Sequence, residues 1–162
     1  KDINYIEFVD PGKINDWDFG SYKRVSNFFF NKEILFLSSH SYPVCHNWLK
    51  KLFLFKKKNT VVAPTASYES LADSVKLKNK FHKIFRYLIR KYFFLKNFDK
   101  FPNPHIRTSS FLINSKTFLN FIKNKKLRNK VDTLLIESGK QGLTQYLKKK
   151  KMNGNLAKHI IS

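Results

Sequence analysis

A run of small polar residues directly after a short apolar segment is the first feature that could do chemistry. Residues 34–37 are apolar, and Ser38, Ser39, His40 and Ser41 follow them without a spacer. A short apolar run is typical of a buried strand, and an abrupt polar end indicates that the strand opens onto a crevice. The sequence therefore predicts a polar crevice at this strand end.

Acidic residues that could serve as acids, bases or metal ligands are few. Beyond the first ten residues and the turn at Glu33, they are Asp16, Asp18, Glu69, Asp73, Asp99, Asp132 and Glu137. The five histidines show no zinc-binding spacing and no HExxH motif, which argues against a hydrolytic metal site. GxSxG, GxGxxG and Walker motifs are also absent, so the sequence lacks the most specific signatures of serine hydrolases and nucleotide-binding domains.

The chain is strongly basic, with 32 Lys and Arg against 11 Asp and Glu and a formal net charge of +21. This charge favours nucleic acid, anionic lipid or phosphorylated ligands as partners. Codon bias in an A/T-rich genome is a competing explanation, since Lys, Asn, Phe and Ile are all abundant. Charge alone therefore does not select a partner.

The length of 162 residues fits one domain with a real core. Because the sequence begins with Lys1, we expect a processed product or an excerpt of a longer chain. Cys45 is the only cysteine, which excludes a disulfide framework and suits a reducing compartment. No apolar run approaches the roughly 18 residues of a membrane span, and no secretory signal opens the chain.

The elements that must position these residues alternate between short apolar runs and helix-period segments. Strands are predicted at residues 5–9, 34–37, 60–63 and 110–113. Helices are predicted from Pro43 with a stripe through Trp48, Leu49, Leu52 and Phe53, from a cap at Ser115, and from a capping box at Ser138 and Gln141. This alternation favours an α/β layered sheet with ligands at the carboxyl ends of its strands.

Residues 75–98 form the longest helical pattern. Their apolar stripe comprises Leu77, Phe81, Ile84, Phe85, Leu88, Tyr92 and Leu95. The other side carries Lys76, Lys78, Lys80, Lys83, Arg86, Arg90, Lys91 and Lys96. Such a basic amphipathic helix can lie on an anionic membrane surface, and the alternative is a core-facing stripe with a solvated basic back.

Four separated segments match one family pattern in its own order. Residues 15–52 (NDWDFGSYKRVSNFFFNKEILFLSSHSYPVCHNWLKKL) resemble N-x-G-x-D-x-G-S-Y/W, a helix, a strand ending F-L-N-D/S-S and a P-x-x-x-x-W-L helix. Residues 61–70 (VVAPTASYES) resemble V-G-A-T-G-S-W-E-S, and residues 102–121 (PNPHIRTSSFLINSKTFLNF) resemble P-N-P-H-I-R-T-x-x-F-x-I. Residues 137–147 (ESGKQGLTQYL) resemble E-S-G-R-x-S-L-T-x-x-L. Together they resemble bacterial polysaccharide and rhamnan-type glycosyltransferases.

The resemblance implies a fold and an activity. The implied fold is the nucleotide-diphosphosugar transferase (GT-A) type, a single α/β domain over residues 1–162 with a three-layer, mixed, mostly parallel sheet and helices on both faces. Few residues precede the D-x-G-S segment, where the family places its first strand and most of its nucleotide pocket, so a truncated or split copy is expected. The implied reaction moves a sugar from a nucleotide-diphosphosugar donor to a glycan or lipid-linked acceptor in cell-surface polysaccharide synthesis.

The resemblance also assigns substrate-binding residues. Asp18 and Gly20 are expected near the nucleotide-sugar, although Asp18 could instead cap a helix starting near Ser21. Ser38, Ser39 and His40 stand where many relatives carry a D-x-D that holds Mg or Mn. Without that carboxylate pair a metal site is weakened, so the cofactor is left open between Mn or Mg and none.

The remaining assignments concern charge and proton transfer. In a metal-independent transferase, Lys23, Arg24 or Arg107 would meet the diphosphate charge, and His105 could donate a hydrogen bond to sugar or phosphate. The alternative for Arg107 is a structural pair with Glu69 or Glu137. Glu137, followed by Glu69, is the predicted catalytic base that deprotonates the acceptor hydroxyl.

Three alternatives remain open on sequence alone. The chain could be an inactive, degenerate transferase copy. It could be a basic nucleic-acid-binding module, which its 16% aromatic content would suit, although no RNP, KH or zinc-knuckle pattern occurs. It could also be a peripheral membrane protein acting through residues 75–98. The expected location is cytoplasmic, with contact to the inner face of the plasma membrane in the peripheral case.

Overall fold

The computed structural model describes residues 7–12, 16–57, 60–74, 84–150 and 154–156. The helices within these residues are α1 (Trp17–Phe28), α2 (Trp48–Leu54), α3 (Ile84–Asn97), α4 (Ser115–Ile122), α5 (Lys130–Ser138) and α6 (Leu143–Lys149). The strands are β1 (Glu33–Leu37), β2 (Val61–Ala63), β3 (Ala66–Ser67), β4 (His105–Ile106), β5 (Ser110–Asn114) and β6 (Gly154–Leu156).

Strand β5 is the centre of the main sheet, whose order is β1-β5-β2-β6. It pairs antiparallel with β1 along its whole length and antiparallel with β2 through Leu112 and Val62. Strand β2 also pairs in parallel with β6, and β3 and β4 form a separate antiparallel ladder. Four of the five residues of β5 are buried, as expected for a central strand covered on both faces.

The predicted three-layer, mostly parallel sheet of the GT-A type is therefore wrong. The chain is mixed α/β with small, mainly antiparallel sheets. The prediction inferred parallel strands from the alternation of strands and helices. The connection from β2 to β5 is long enough for the chain to reverse direction, and β5 then lies between β1 and β2 and antiparallel to both. The alternation of strands and helices therefore did not determine strand direction.

Strands β1 and β2 nevertheless run the same way, because both pair antiparallel with β5. Their carboxyl ends therefore lie at one edge of the sheet, together with the start of β5. We call this edge the rim and define it as residues 38–41, 64–65 and 107–110.

The core is divided between the two faces of the main sheet, because side chains alternate along each strand. One face carries an aromatic cluster shared with α1 and α4, whose rings are Phe19, Tyr22, Phe36, Phe111 and Phe118. Each such ring pair adds about 0.5–1.5 kcal/mol beyond its buried area. On the other face, Val62 and Leu112 pack against Leu52 of α2.

Helix α3 packs on a third, smaller cluster. Phe94 and the adjacent Phe98 are buried there against Ala72. Leu134 and Leu135 of α5 border the same cluster and connect it to the rest of the domain. The cluster that supports α3 is thus separate from the aromatic cluster of the main sheet.

The core-facing alternative for the apolar stripe is wrong for most of its described residues, which face solvent. In the described part of the predicted 75–98 helix, Ile84, Phe85, Leu88 and Tyr92 are exposed, and residues 75–83 lie outside the described residues. A helix that is apolar on two sides can bury either one, so periodicity alone did not identify the packed face. Among the described helices, none combines the length and hydrophobicity that crossing a bilayer requires.

Strand positions were predicted better than helix starts. Strands β1, β2 and β5 confirm three predicted strands to within one residue. The predicted strand at residues 5–9 lies partly outside the described residues, and residues 7–9 are not in a strand. Pro43 does not begin a helix, since α2 starts only at Trp48.

Two predicted helix caps are also wrong. Asn114, rather than Ser115, caps α4 by accepting a hydrogen bond from a backbone N–H in the first turn. Ser138 is the last residue of α5, and α6 begins at Leu143, so Ser138 and Gln141 do not form a capping box. Capping-box spacing occurred here by coincidence, across the boundary of two helices.

Candidate functional site

Three chain segments are tied together at the rim by hydrogen bonds. The backbone N–H of Ser38 donates to the carbonyl of Ser109 at 2.8 Å, and the Ser41 hydroxyl donates to the same carbonyl at 3.2 Å. The backbone N–H of Arg107 donates to the carbonyl of Thr65 at 3.1 Å. These bonds hold the end of β1, the turn after β2 and the approach to β5 in one arrangement.

A cavity of about 330 Å³ opens between these segments, and we call it the rim cavity. It is lined by Leu37, His40, Ser41, Tyr42, Pro43, Val44, Cys45, Trp48, Leu52, Pro64, Thr65, Ser109 and Ser110. Its volume lies at the lower end of the roughly 300–1,000 Å³ of small-molecule sites. Ser39 does not line it, although Ser38 supports it through a 3.0 Å contact between the Ser38 and Ser41 hydroxyls.

The lining combines aromatic walls with hydroxyl groups. Tyr42 and Trp48 supply the aromatic surface, and Ser41, Thr65 and Ser109 supply hydroxyls. The described lining residues include no carboxylate, lysine or arginine, and His40 is the one imidazole among them. Such a surface suits an uncharged ring that carries hydroxyl or amide groups, because ring faces pack on aromatics while hydroxyls exchange hydrogen bonds.

Sequence reasoning missed several of these lining residues. Tyr42, Trp48, Thr65 and Ser109 were not among the predicted site residues. The signal that could have found Thr65 and Ser109 is their position next to strand ends. That signal becomes useful only once β1 and β2 are known to run the same way on either side of β5.

Arg107 belongs to the rim through its backbone, and its side chain pairs with Glu69. The Arg107 guanidinium donates to Glu69 Oε2 at 2.8 Å and contacts the Ser67 hydroxyl at 3.5 Å. The carboxylate side chain of Glu69 is 80% exposed. The structural pair between Arg107 and Glu69 is thus the arrangement present in this structure, and an exposed pair of this kind is weak enough to exchange partners.

Glu137 lies in the last turn of α5. Its Oε1 accepts hydrogen bonds from the backbone N–H of Thr108 at 3.0 Å and from the Thr108 hydroxyl at 3.1 Å. Thr108 directly precedes Ser109 of the rim cavity lining. The carboxylate is therefore held by the residue next to the cavity lining, and Glu137 itself does not line the cavity.

His105 does not reach the rim cavity. Its ring is buried, with Nδ1 2.7 Å from the carbonyl of Asn103, and it lines a separate cavity of about 190 Å³. Asn103 is buried as well and donates from Nδ2 to the carbonyl of Ser138 at 2.9 Å. These contacts tie the segment before β5 to the end of α5, so His105 belongs to the framework that holds the rim.

Asp18 and Gly20 lie in α1, and neither lines the rim cavity. Asp18 is exposed in the first turn of a helix that begins at Trp17, so it does not cap a helix near Ser21. Gly20 is buried, and a Cβ there would lie only 1.9 Å from the carboxyl carbon of Asp16. Gly20 therefore makes room for the Asp16 carboxylate.

A cluster of paired charges surrounds this glycine, and sequence reasoning missed it. Arg24 donates to Asp16 at 2.6 Å and also pairs with Asp10, which accepts a further hydrogen bond from Ser21. Hydrogen bonds from Arg24, then Ser21 and Gly12, hold the pKa of Asp10 well below its usual range. Because Arg24 already pairs with two carboxylates, it is not a free cation for a phosphate.

The rim does not fit a magnesium or manganese site. These ions prefer carboxylate oxygens, whereas residues 38–41 offer hydroxyls and one imidazole. In the described ranges, no three His, Cys, Asp or Glu side chains are grouped closely enough to hold a common metal ion. Any diphosphate bound here would have to be met by protein cations and backbone donors.

Comparisons of the chain with protein-family models, curated proteins and solved structures give no match. The four segments that resemble one family pattern therefore have to be judged by where they lie. The first three segments supply Ser41, Thr65 and Ser109 to the rim cavity. The fourth does not line the cavity, and its Glu137 is hydrogen-bonded to Thr108, the residue before Ser109.

Proposed function

We propose that this domain binds a nucleotide-diphosphosugar in the rim cavity and transfers its sugar to a glycan or lipid-linked acceptor. One observation carries the proposal. Three of the four segments selected by their order along the chain line a single cavity, and the fourth is hydrogen-bonded through Glu137 to Thr108, which adjoins that lining in the chain. With an antiparallel sheet there is no fold-level argument for a transferase, so the function rests on the site alone.

Recognition of the donor would use the two kinds of lining surface. Tyr42 and Trp48 can pack against the flat face of a base or sugar, which is worth about 1–3 kcal/mol for a base on an aromatic ring. Hydroxyls of Ser41, Thr65 and Ser109 can exchange hydrogen bonds with sugar hydroxyls. The neutral lining suits these groups better than it suits the diphosphate.

Charge on the departing diphosphate would be met at the edge of the cavity. Arg107 is anchored there by its backbone bond to Thr65, and its side chain remains partly exposed. A diphosphate can replace Glu69 as the partner of this guanidinium, because phosphate oxygens accept two parallel hydrogen bonds from arginine. This arrangement would stabilise the leaving group without carboxylate-bound metal.

Proton removal from the acceptor would be assigned to Glu137. Thr108 holds one carboxylate oxygen of Glu137, and the other oxygen would take the proton of an acceptor hydroxyl that extends to it from the cavity. Glu69 suits this role less well, because it is mostly exposed and paired with Arg107. We therefore assign Glu69 as the exchangeable counter-ion and not as the base.

Donor binding is tested by thermal unfolding with UDP-, GDP- and dTDP-sugars, each with and without manganese. A donor at about 100 times its Kd should stabilise the fold by about 2.7 kcal/mol, or roughly 5–10 °C for a chain of this size. Tyr42→Ala should weaken that donor by about 5- to 100-fold through loss of one aromatic wall. Tyr92→Ala, an equally exposed tyrosine on α3, is the matched control and should leave donor affinity unchanged.

Turnover is tested by release of nucleoside diphosphate from whichever donor binds. Glu137→Gln should keep donor affinity and lower release by about 10²- to 10⁴-fold, the usual contribution of a general base. The absence of a thermal shift with all three donor classes would contradict the proposed function. A shift that Tyr42→Ala does not change would place the donor elsewhere on the molecule.

A further inference from the structure

The outer face of α3 consists of Phe85, Leu88, Ile89 and Tyr92, and it is open to solvent. Phe85 is 75% exposed and Tyr92 is 68% exposed, and more than half of each of the other two side chains is exposed. At about 100° per residue, these four positions span an arc of about 100° on the side away from the buried Phe94. Helix α3 thus has one apolar side packed on the protein and a second one unpartnered.

Basic side chains flank the outer face, and no acidic residue occurs within α3. Arg86 and Arg90 lie on one flank, Lys91 on the other, and Lys96 at the carboxyl end. None of the ion pairs found among the described residues involves these four cations. Arg90 lies over the ring of Phe94 at 5.2 Å, which holds its guanidinium against the helix.

Positive charge continues beyond the carboxyl end of the helix. Lys96 shares a cavity of about 340 Å³ with Lys125, Lys126 and Lys140. One carboxylate, Asp132, also lines this cavity, and it already accepts a hydrogen bond from the backbone of Arg128. Cations therefore lie along both flanks of the apolar outer face and beyond its carboxyl end.

We propose that the outer face of α3 docks on an anionic membrane surface, with the helix lying parallel to the bilayer plane. The apolar outer face is stabilised when it is buried at the boundary between the lipid headgroups and acyl chains. The flanking cations then lie at the depth of the lipid phosphates, whose negative charge attracts them. A nucleic-acid backbone would match the cations but would leave a convex row of apolar side chains in water. This inference is independent of the donor site at the rim.

The test measures flotation of the whole chain with phosphatidylcholine vesicles and with vesicles in which about a third of the lipid is phosphatidylglycerol. Binding should require phosphatidylglycerol and should weaken as salt rises from about 0.1 M to 1 M, since the screening length falls from about 10 Å to 3 Å. Phe85→Ser should lower the partition coefficient at least about tenfold, and Arg86→Gln about fivefold. Only Arg86→Gln should also reduce the salt dependence.

Matched controls change the same residue types elsewhere. Phe30→Ser and Lys116→Gln alter exposed residues outside α3 and should bind vesicles like the unmodified chain. Tyr92→Ala provides a second apolar variant should Phe85→Ser fold poorly, with Tyr42→Ala at the rim as its control.

Three results would each overturn the inference. The first is equal binding to both kinds of vesicle, or to neither. The second is a dimer in sedimentation that Phe85→Ser dissociates in the absence of lipid, which would assign the face to a second copy of the chain. The third is salt-sensitive binding to a single-stranded oligonucleotide without vesicle binding.

Discussion

The rim cavity and the outer face of α3 both expose aromatic side chains, but the first is concave with a neutral lining and the second is convex and cationic. At the rim, the nearest arginine is paired with Glu69. On α3, the cations have no acidic residue in their own helix. The exposed aromatic rings therefore suit different binding partners in the two places. A concave wall accepts a ligand small enough to enter the cavity, whereas a convex face can be covered only by an extended surface.

The two regions also rest on different parts of the core. The strands that end at the rim carry the aromatic cluster on one face and Val62 and Leu112 on the other, whereas α3 rests on the small cluster of Phe94 and Phe98. Separate clusters allow one region to loosen while the other stays packed, since local opening follows local contact density. Changes directed at one cluster should therefore distinguish the regions.

The largest expected effect on stability comes from removing one buried ring, either from the aromatic cluster of the main sheet or from the cluster that supports α3. Phe111→Ala and Phe98→Ala each delete a fully buried side chain and should each lower the free energy of unfolding by about 3–5 kcal/mol. In hydrogen exchange, Phe98→Ala should accelerate the amides of α3 more than those of β5, and Phe111→Ala should do the reverse. Equal acceleration in both elements for both variants would show that the two regions open as one unit.

Alkaline pH should weaken the aromatic cluster of the main sheet, because that cluster contains Tyr22. It should spare the cluster under α3, which contains no titratable side chain among its described members. Burial, and secondarily the charge of Asp18, raises the pKa of Tyr22 to about 12. Between its ordinary value of about 10 and 12, the folded state keeps a proton that the unfolded state loses. The free energy of unfolding should therefore fall with rising pH in this window, by up to about 3 kcal/mol.

Tyr22→Phe isolates this effect, because its ring can keep the stacking on Phe36 while the phenol is lost. The Tyr22 hydroxyl is buried without a hydrogen-bond partner in the described structure, so the substitution should not cost stability at neutral pH. Urea unfolding at pH 8 and pH 11 measures both expectations. A variant that loses as much stability as the unmodified chain over this interval would show that lysine titration dominates.

The paired charges of α1 can be compared with the unpaired charges of α3 by substitution. Gly20→Ala should destabilise the unmodified chain by about 1–3 kcal/mol, because the new Cβ displaces the Asp16 carboxylate that Arg24 binds. In an Asp16→Ala background, the same change should instead stabilise by up to about 1 kcal/mol through helix propensity. Arg86→Gln on α3 should alter stability by no more than about 0.5 kcal/mol. Urea denaturation of the five chains is the measurement, and a destabilising Gly20→Ala in both backgrounds would contradict the steric explanation.

Glu69→Gln at the rim should also have only a small effect on stability. The pair with Arg107 is largely exposed, so its loss should change the free energy of unfolding by less than about 1 kcal/mol. Freed from Glu69, the guanidinium should bind inorganic pyrophosphate more tightly, which calorimetry can detect. Weaker pyrophosphate binding would indicate that Glu69 holds Arg107 in its working position.

Several features were predictable from local sequence, and others were not. Residues 34–37 and 110–113 are short apolar runs with polar flanks, and such runs form strands with little regard to context. The direction of β5 relative to β1 and β2 depended on the path of the long connection between β2 and β5. A local sequence pattern does not determine that path. The burial of Phe94 in place of Phe85 depended on where the cluster around Ala72 lies, because both faces of that helix are apolar.

By itself, the sequence determined the main strands, the basic charge and the polar run after β1, because each depends on residue type and near neighbours. Only the tertiary structure decided that Gly20 accommodates Asp16, that His105 is part of the framework, and that Thr65 and Ser109 complete the rim cavity. Each of these depends on which atoms lie within a few ångströms after packing. Separation along the chain does not predict which residues line the rim cavity. The ends of β1 and β2 lie at one edge of the sheet because both strands pair antiparallel with β5.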